Sequence, residues 1–101
     1  MAQMRKIGTV ATTVKRENGT TRVQYHRTVV VEFNDEKITL NSGGWRTNTT
    51  KTRMNQTANQ FGLGFSVQQT KGVWYVHTDM HGTVPFTDGM TIKRIDENKR
   101  G

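Results

Sequence analysis

Apolar and polar positions alternate through most of this chain, and the alternation predicts strands. Between Arg22 and Phe33 the apolar positions Val23, Tyr25, Val29, Val31 and Phe33 follow the two-residue period of a strand with one buried face. Ile7 to Val14 reads the same way. The two stretches are joined by Glu17-Asn18-Gly19-Thr20, and Asn-Gly is the strongest two-residue hairpin signal. That loop opposes Val14 to Val23, Thr12 to Tyr25 and Val10 to Arg27. It also opposes Lys15 to Arg22 on the other face, where like charges repel. Either Glu17 relieves them or the pair waits for an anion. After a turn at Asn34 to Lys37, Ile38 returns opposite Phe33 and Leu40 opposite Val31, which gives a three-stranded meander.

The period then changes. Met54, Ala58 and Phe61 fall at i, i+4 and i+7, the apolar stripe of a helix. Thr47, Asn48 and Thr49 are candidate N-caps, because their side-chain oxygens accept from the free N–H groups of a first turn. Gly62 suits the position after the helix, where left-handed geometry costs it nothing. Lys51, Asn55 and Asn59 lie on another face, with Arg53, Gln56 and Gln60 nearby: amides and cations without an acid. Lys51 and Arg53, with Arg46 just upstream, add to the positive end of the helix dipole. Unopposed, each cation costs a few tenths of a kcal/mol. A bound phosphate would reverse the sign.

Strands resume after the helix. Phe65 to Gln69 and Val73 to Thr78 read as a hairpin around Lys71-Gly72. A two-residue loop puts Trp74 and Val76 on the face of Phe65 and Val67, and a three-residue loop puts Tyr75 there instead. Val84 to Phe86 and Met90 to Ile92 read as a last hairpin around Thr87-Asp88-Gly89, pairing Phe86 with Met90. Pro85 marks an edge strand, since it has no N–H to donate. The predicted order is β-β-β-α-β-β-β-β. This is an α+β domain, an antiparallel curved sheet of about seven short strands with one central helix. Residues 1–101 form one domain in this reading, with mobile ends at 1–6 and 95–101.

Composition sharpens the picture. An apolar share of 32% makes the core thin, and seventeen threonines favour strands and hydroxyl-rich surfaces. The absence of cysteine excludes disulfides, thiol catalysis and thiolate zinc sites. No apolar run reaches the roughly 18 residues of a membrane span, and no signal-peptide core opens the chain. A soluble cytoplasmic protein is expected. A net charge of +7 and a pI near 10.3 favour a polyanionic partner.

From Lys37 to His77 there are five Lys or Arg residues and no Asp or Glu, interleaved with Trp45, Phe61, Phe65, Trp74 and Tyr75. Cations hold phosphates, aromatic faces stack unpaired bases, and Asn or Gln amides bond base edges. The candidate nucleic-acid-binding residues are therefore Trp45, Arg46, Lys51, Arg53, Asn55 and Lys71, with Lys15 and Arg22 extending the patch. Gly43-Gly44, just before the helix, offers backbone N–H groups to a phosphate, but the Walker spacing is missing. His77-x-Asp79-x-His81 has the alternation of metal ligands on a strand. A turn at Asp79 to Gly82 breaks that alignment, so no metal and no cofactor are expected. No nucleophile has an evident base beside it, and an enzyme is not expected.

The segment GGWRTNTTKTRMNQTANQFGLGFSVQQTKGVWYV resembles a stretch found in small uncharacterised proteins of tailed bacteriophages, including marine ones. Its marks are GGW, TTK-x-RMNQ, FGLGF and KG-x-WYV. The likeness runs from the TVVV strand through VPF-x-DGMT, about two thirds of the chain. No activity comes with it, so it transfers no site residue. It implies a small soluble phage-type protein made in a bacterial host cell. Two functions fit: a module that binds DNA or RNA through phosphates, or one that captures an acidic host or phage protein through the same basic face. Short edge strands and a thin core are compatible with a homodimer.

Overall fold

The computed structural model describes residues 11–44, 47–79 and 81–94. Four strands come first: β1 (Thr12–Glu17), β2 (Thr20–Tyr25), β3 (Thr28–Phe33) and β4 (Lys37–Leu40). Helix α1 (Asn48–Phe61) follows, then β5 (Phe65–Thr70), β6 (Val73–Thr78), β7 (Gly82–Pro85) and β8 (Met90–Lys93). All pairing is antiparallel, in a five-stranded sheet ordered β1-β2-β3-β4-β8 and a three-stranded sheet ordered β5-β6-β7. The expected α+β fold is present, with its strands divided between two sheets.

Where turn chemistry is explicit, the register is the expected one. Asn18 and Gly19 both take positive φ, 52° and 82°, as a tight hairpin turn requires. Val14 then faces Val23 and Lys15 faces Arg22. Ile38 faces Phe33 and Leu40 faces Val31. Lys71 and Gly72 make a second turn of the same kind, at φ 52° and 79°. The two-residue loop therefore holds: Val67 faces Val76, and Trp74 and Val76 enter the core.

Two expectations are corrected. Arg22 to Phe33 is not one strand, because His26-Arg27 turns the chain back, with His26 at φ 56°. No Gly, Asn or Pro marks that turn. It is held by the His26 N–H donating to the Ala11 carbonyl and by Gln24 Nε2 donating to the His26 carbonyl, both at 2.8 Å. A bulge follows: Val23 faces Val31 while Gln24 faces Val29, leaving Val30 as the extra residue. Val30 and Val31 are buried in succession and Val29 is only half-buried, against simple alternation. The second correction concerns the end of the chain. β7 and β8 do not pair with each other; β7 pairs with β6 and β8 with β4. The Thr87-Asp88-Gly89 turn instead carries the chain from one sheet to the other. It is pinned there by Gly89 N–H on the Leu40 carbonyl at 2.7 Å and by the Asp88 carboxylate, which accepts from Ser42 N–H and Oγ.

The inner faces of both sheets meet around α1 in one core. Val23, Val31, Ile38, Leu40 and Ile92 come from the first sheet, Phe65, Val67, Trp74 and Val76 from the second, Met54 and Ala58 from the helix. Each Val, Ile, Leu, Phe or Met side chain among them contributes about 1.5–3 kcal/mol when fully buried. Phe33 packs on Phe61 with ring centroids 4.9 Å apart, and Trp74 on Phe86 at 5.4 Å. The helix ends are those the sequence signals. Thr47 Oγ1 accepts from the Thr50 N–H at 3.2 Å, and Gly62 closes the last turn at φ 63° with its N–H on the Ala58 carbonyl. No helix among the described residues is long and apolar enough to cross a membrane. The Val10–Arg27 pairing and the ends at 1–6 and 95–101 lie outside the described residues.

Candidate nucleic-acid interface

Two of the expected cations come together. Lys51 Nζ, near the start of α1, donates to Gln69 Oε1 on β5 at 3.1 Å. Gln69 is two residues before Lys71, which stands exposed in the β5–β6 turn. The start of the helix and the tip of this hairpin thus form one cationic end. Neither lysine forms an ion pair with a described carboxylate, and the first turn of α1 contains no acid.

Arg53 and Asn55 serve the fold instead. Arg53, a candidate nucleic-acid contact by sequence, is only 8% exposed. Its Nε donates to Thr12 Oγ1 at 2.8 Å, one terminal nitrogen donates to Gln56 Oε1 at 3.2 Å, and the guanidinium lies 5.6 Å from the centre of the Tyr25 ring. It ties α1 to β1 and β2. The physical reason is the helix's position: packed against both sheets, it buries Thr50, Arg53, Gln56 and Thr57 beside the apolar stripe. The Asn55 amide is taken up by the backbone of β5, accepting from the Val67 N–H at 2.7 Å and donating to the Val67 carbonyl at 3.0 Å. β5 is an edge strand, and Asn55 satisfies polar groups that an edge leaves unpaired.

Lys15 and Arg22 face each other as expected, but on the outer face of the five-stranded sheet. Arg22 Nε lies 3.2 Å from Glu32 Oε1 and one of its terminal nitrogens 3.9 Å from Glu17 Oε1. Two of the chain's own acids therefore balance Arg22. The Arg22–Glu32 pairing exists only because the chain turns at His26-Arg27, which sets β3 beside β2 with Arg22 opposite Glu32.

The glycine pair before the helix has a packing role. Gly43 N–H donates to Asn41 Oδ1 at 2.7 Å and Gly44 N–H to Ser42 Oγ at 3.2 Å, so neither is presented to a phosphate. Gly43, at φ 64°, lies so close to Thr28 that any Cβ would collide with its side chain. Trp45 and Arg46 lie outside the described residues.

The outer face of the three-stranded sheet is the feature that the sequence left open. With Trp74, Val76 and Thr78 buried, Val73, Tyr75 and His77 point the other way. Tyr75 stands half-buried between Gln68 and Pro85. His77 stands between Ser66 and Thr83, its Nδ1 2.8 Å from Thr83 Oγ1. The signal was present in Lys71-Gly72: a two-residue loop sends Tyr75 outward. Among the described residues no three His, Asp or Glu side chains gather as metal ligands.

A family model described as Kyanoviridae Gp96 protein matches residues 2–93. The chain belongs to that family. The match takes in both sheets, the helix and every candidate residue named above, and it agrees with the bacteriophage resemblance carried by the GGW to WYV segment. No curated protein and no solved structure matches the chain.

Proposed function

We propose that this phage protein binds nucleic acid, with phosphates held by Lys51 and Lys71 where the start of α1 meets the β5–β6 turn. The observation that carries the reading is that Lys51 bonds Gln69, two residues before the exposed Lys71, without a described carboxylate against either lysine. Cations at this end of a helix are unfavourable by a few tenths of a kcal/mol each until an anion joins them. Lys71 adds a second cost. The same turn at the other hairpin uses Asn18, a residue that tolerates positive φ, whereas Lys71 holds φ 52° against its preference. A chain with net charge +7 that keeps a cation in an unfavourable backbone position is suited to a polyanion.

The test is fluorescence anisotropy of labelled DNA and RNA oligonucleotides at about 50 mM salt and above. Binding is expected to weaken linearly on logarithmic axes as salt rises. Substituting Lys51→Gln and Lys71→Gln together is expected to reduce that slope by roughly 1.5, two phosphate contacts' worth. Absence of binding at low salt overturns the reading. Binding to poly-glutamate but to no oligonucleotide would transfer the surface to an acidic protein partner.

A further inference from the structure

We propose that the outer face of the β5-β6-β7 sheet is a stacking platform for unpaired bases, so that the nucleic acid taken is single-stranded. This rests on the nucleic-acid reading above and names the form of the ligand. Along β6 the residues on that face run Val73, Tyr75, His77, and the turn before them carries Lys71. One row therefore passes from a cation to an exposed aliphatic side chain to two rings. Val73 is 49% exposed, a large apolar residue left in solvent immediately beside the cationic end.

Tyr75 and His77 lie two residues apart along the strand, about 6.8 Å. Sheets that bind single strands stack two or three bases on ring side chains arranged in this way. The Tyr75 ring is flanked across the strands by Gln68 and Pro85, and the His77 ring is steadied by Thr83. None of the side chains on this face is Lys, Arg, Asp or Glu. A duplex shows its phosphates outward and would need cations spread over the face. A single strand needs neutral rings under its bases and cations only where its backbone passes, which is the distribution seen: Lys71 in the turn at one end, uncharged groups over the face, and Lys51 around that end on the helix side, bonded to Gln69. The outer face of the five-stranded sheet differs, with the Arg22–Glu32 and Arg22–Glu17 pairs on it.

The experiment compares fluorescein-labelled oligo(dT) and oligo(U) of about 12 nucleotides with a duplex of the same length, by anisotropy at fixed salt. The wild-type protein is expected to bind the single strands more tightly than the duplex. Tyr75→Ala is expected to weaken single-strand binding roughly tenfold or more with the salt slope unchanged, because a stacked base is lost and no phosphate contact is. Tyr75→Phe retains the ring and is expected to stay within about twofold of wild type. Relative affinities for oligo(dT) and oligo(U) tell which nucleic acid is preferred. Equal binding of duplex and single strand, or an unchanged affinity in Tyr75→Ala, overturns the platform. If the lysine substitutions weaken binding and Tyr75→Ala does not, the platform alone fails and nucleic-acid binding stands. If no oligonucleotide binds, both fail together. Should Tyr75→Ala not fold, His77→Ala and the wild-type preference for single strands decide the matter.

Discussion

Asn55 and Arg53 show how the same residue types serve opposite ends. By composition they belong to an acid-free polar helix face suited to reading a nucleic acid. In the fold the Asn55 amide completes the edge of β5 through Val67, and Arg53 lies buried against Thr12, Gln56 and Tyr25. Asn55→Ala leaves the Val67 N–H and carbonyl without those partners, so it is expected to destabilise the protein by about 1–3 kcal/mol in urea denaturation. Oligonucleotide affinity of the folded variant should not change. Arg22→Gln should also leave affinity unchanged, since Glu32 and Glu17 already balance that charge; a fall of tenfold or more would place the interface on the five-stranded sheet instead. The burial of Arg53 was not legible in the sequence. A helix that packs against two sheets buries an arc wider than one apolar stripe, and the added positions are polar.

Elements with local signatures were legible. The Thr47 cap (one of three candidates), the Gly62 terminus and the Asn18-Gly19 turn follow from residues suited to their backbone geometry. The Lys71-Gly72 turn lies where expected and takes the two-residue loop of the two left open. The His26-Arg27 turn has no such signature, and long-range pairing imposes it. At this scale stability and binding should move in opposite directions. Thr49→Glu places an acid in the exposed first turn of α1 and is expected to stabilise the protein by about 0.3–1 kcal/mol while weakening oligonucleotide binding. Lys71→Asn should do the same, raising the melting temperature modestly because Asn accepts positive φ, and removing a phosphate contact. Thermal denaturation and anisotropy on the same samples read both signs.

For the molecule as a whole, fold class and most registers were readable, but the partner of β8 was not. Turn chemistry at Thr87 to Gly89 is local, whereas the choice between β7 and β4 depends on Ser42 and Leu40, far away in sequence, receiving Asp88 and Gly89. That crossing leaves β7 on the second sheet, with Pro85 beside Tyr75. It therefore completes the uncharged outer face that the binding account uses. The candidate site was half legible: the cations Lys51 and Lys71 were visible as an excess without acids, while the outward choice of Tyr75 over Trp74 awaited the register. The most direct test is amide chemical-shift mapping of the isotope-labelled protein titrated with oligo(dT). Shifts should concentrate at Lys51, Gln69, Lys71, Val73, Tyr75 and His77, leaving Arg22 and Glu32 unmoved. Shifts confined to the outer face of the five-stranded sheet, or none at low salt, would contradict the account.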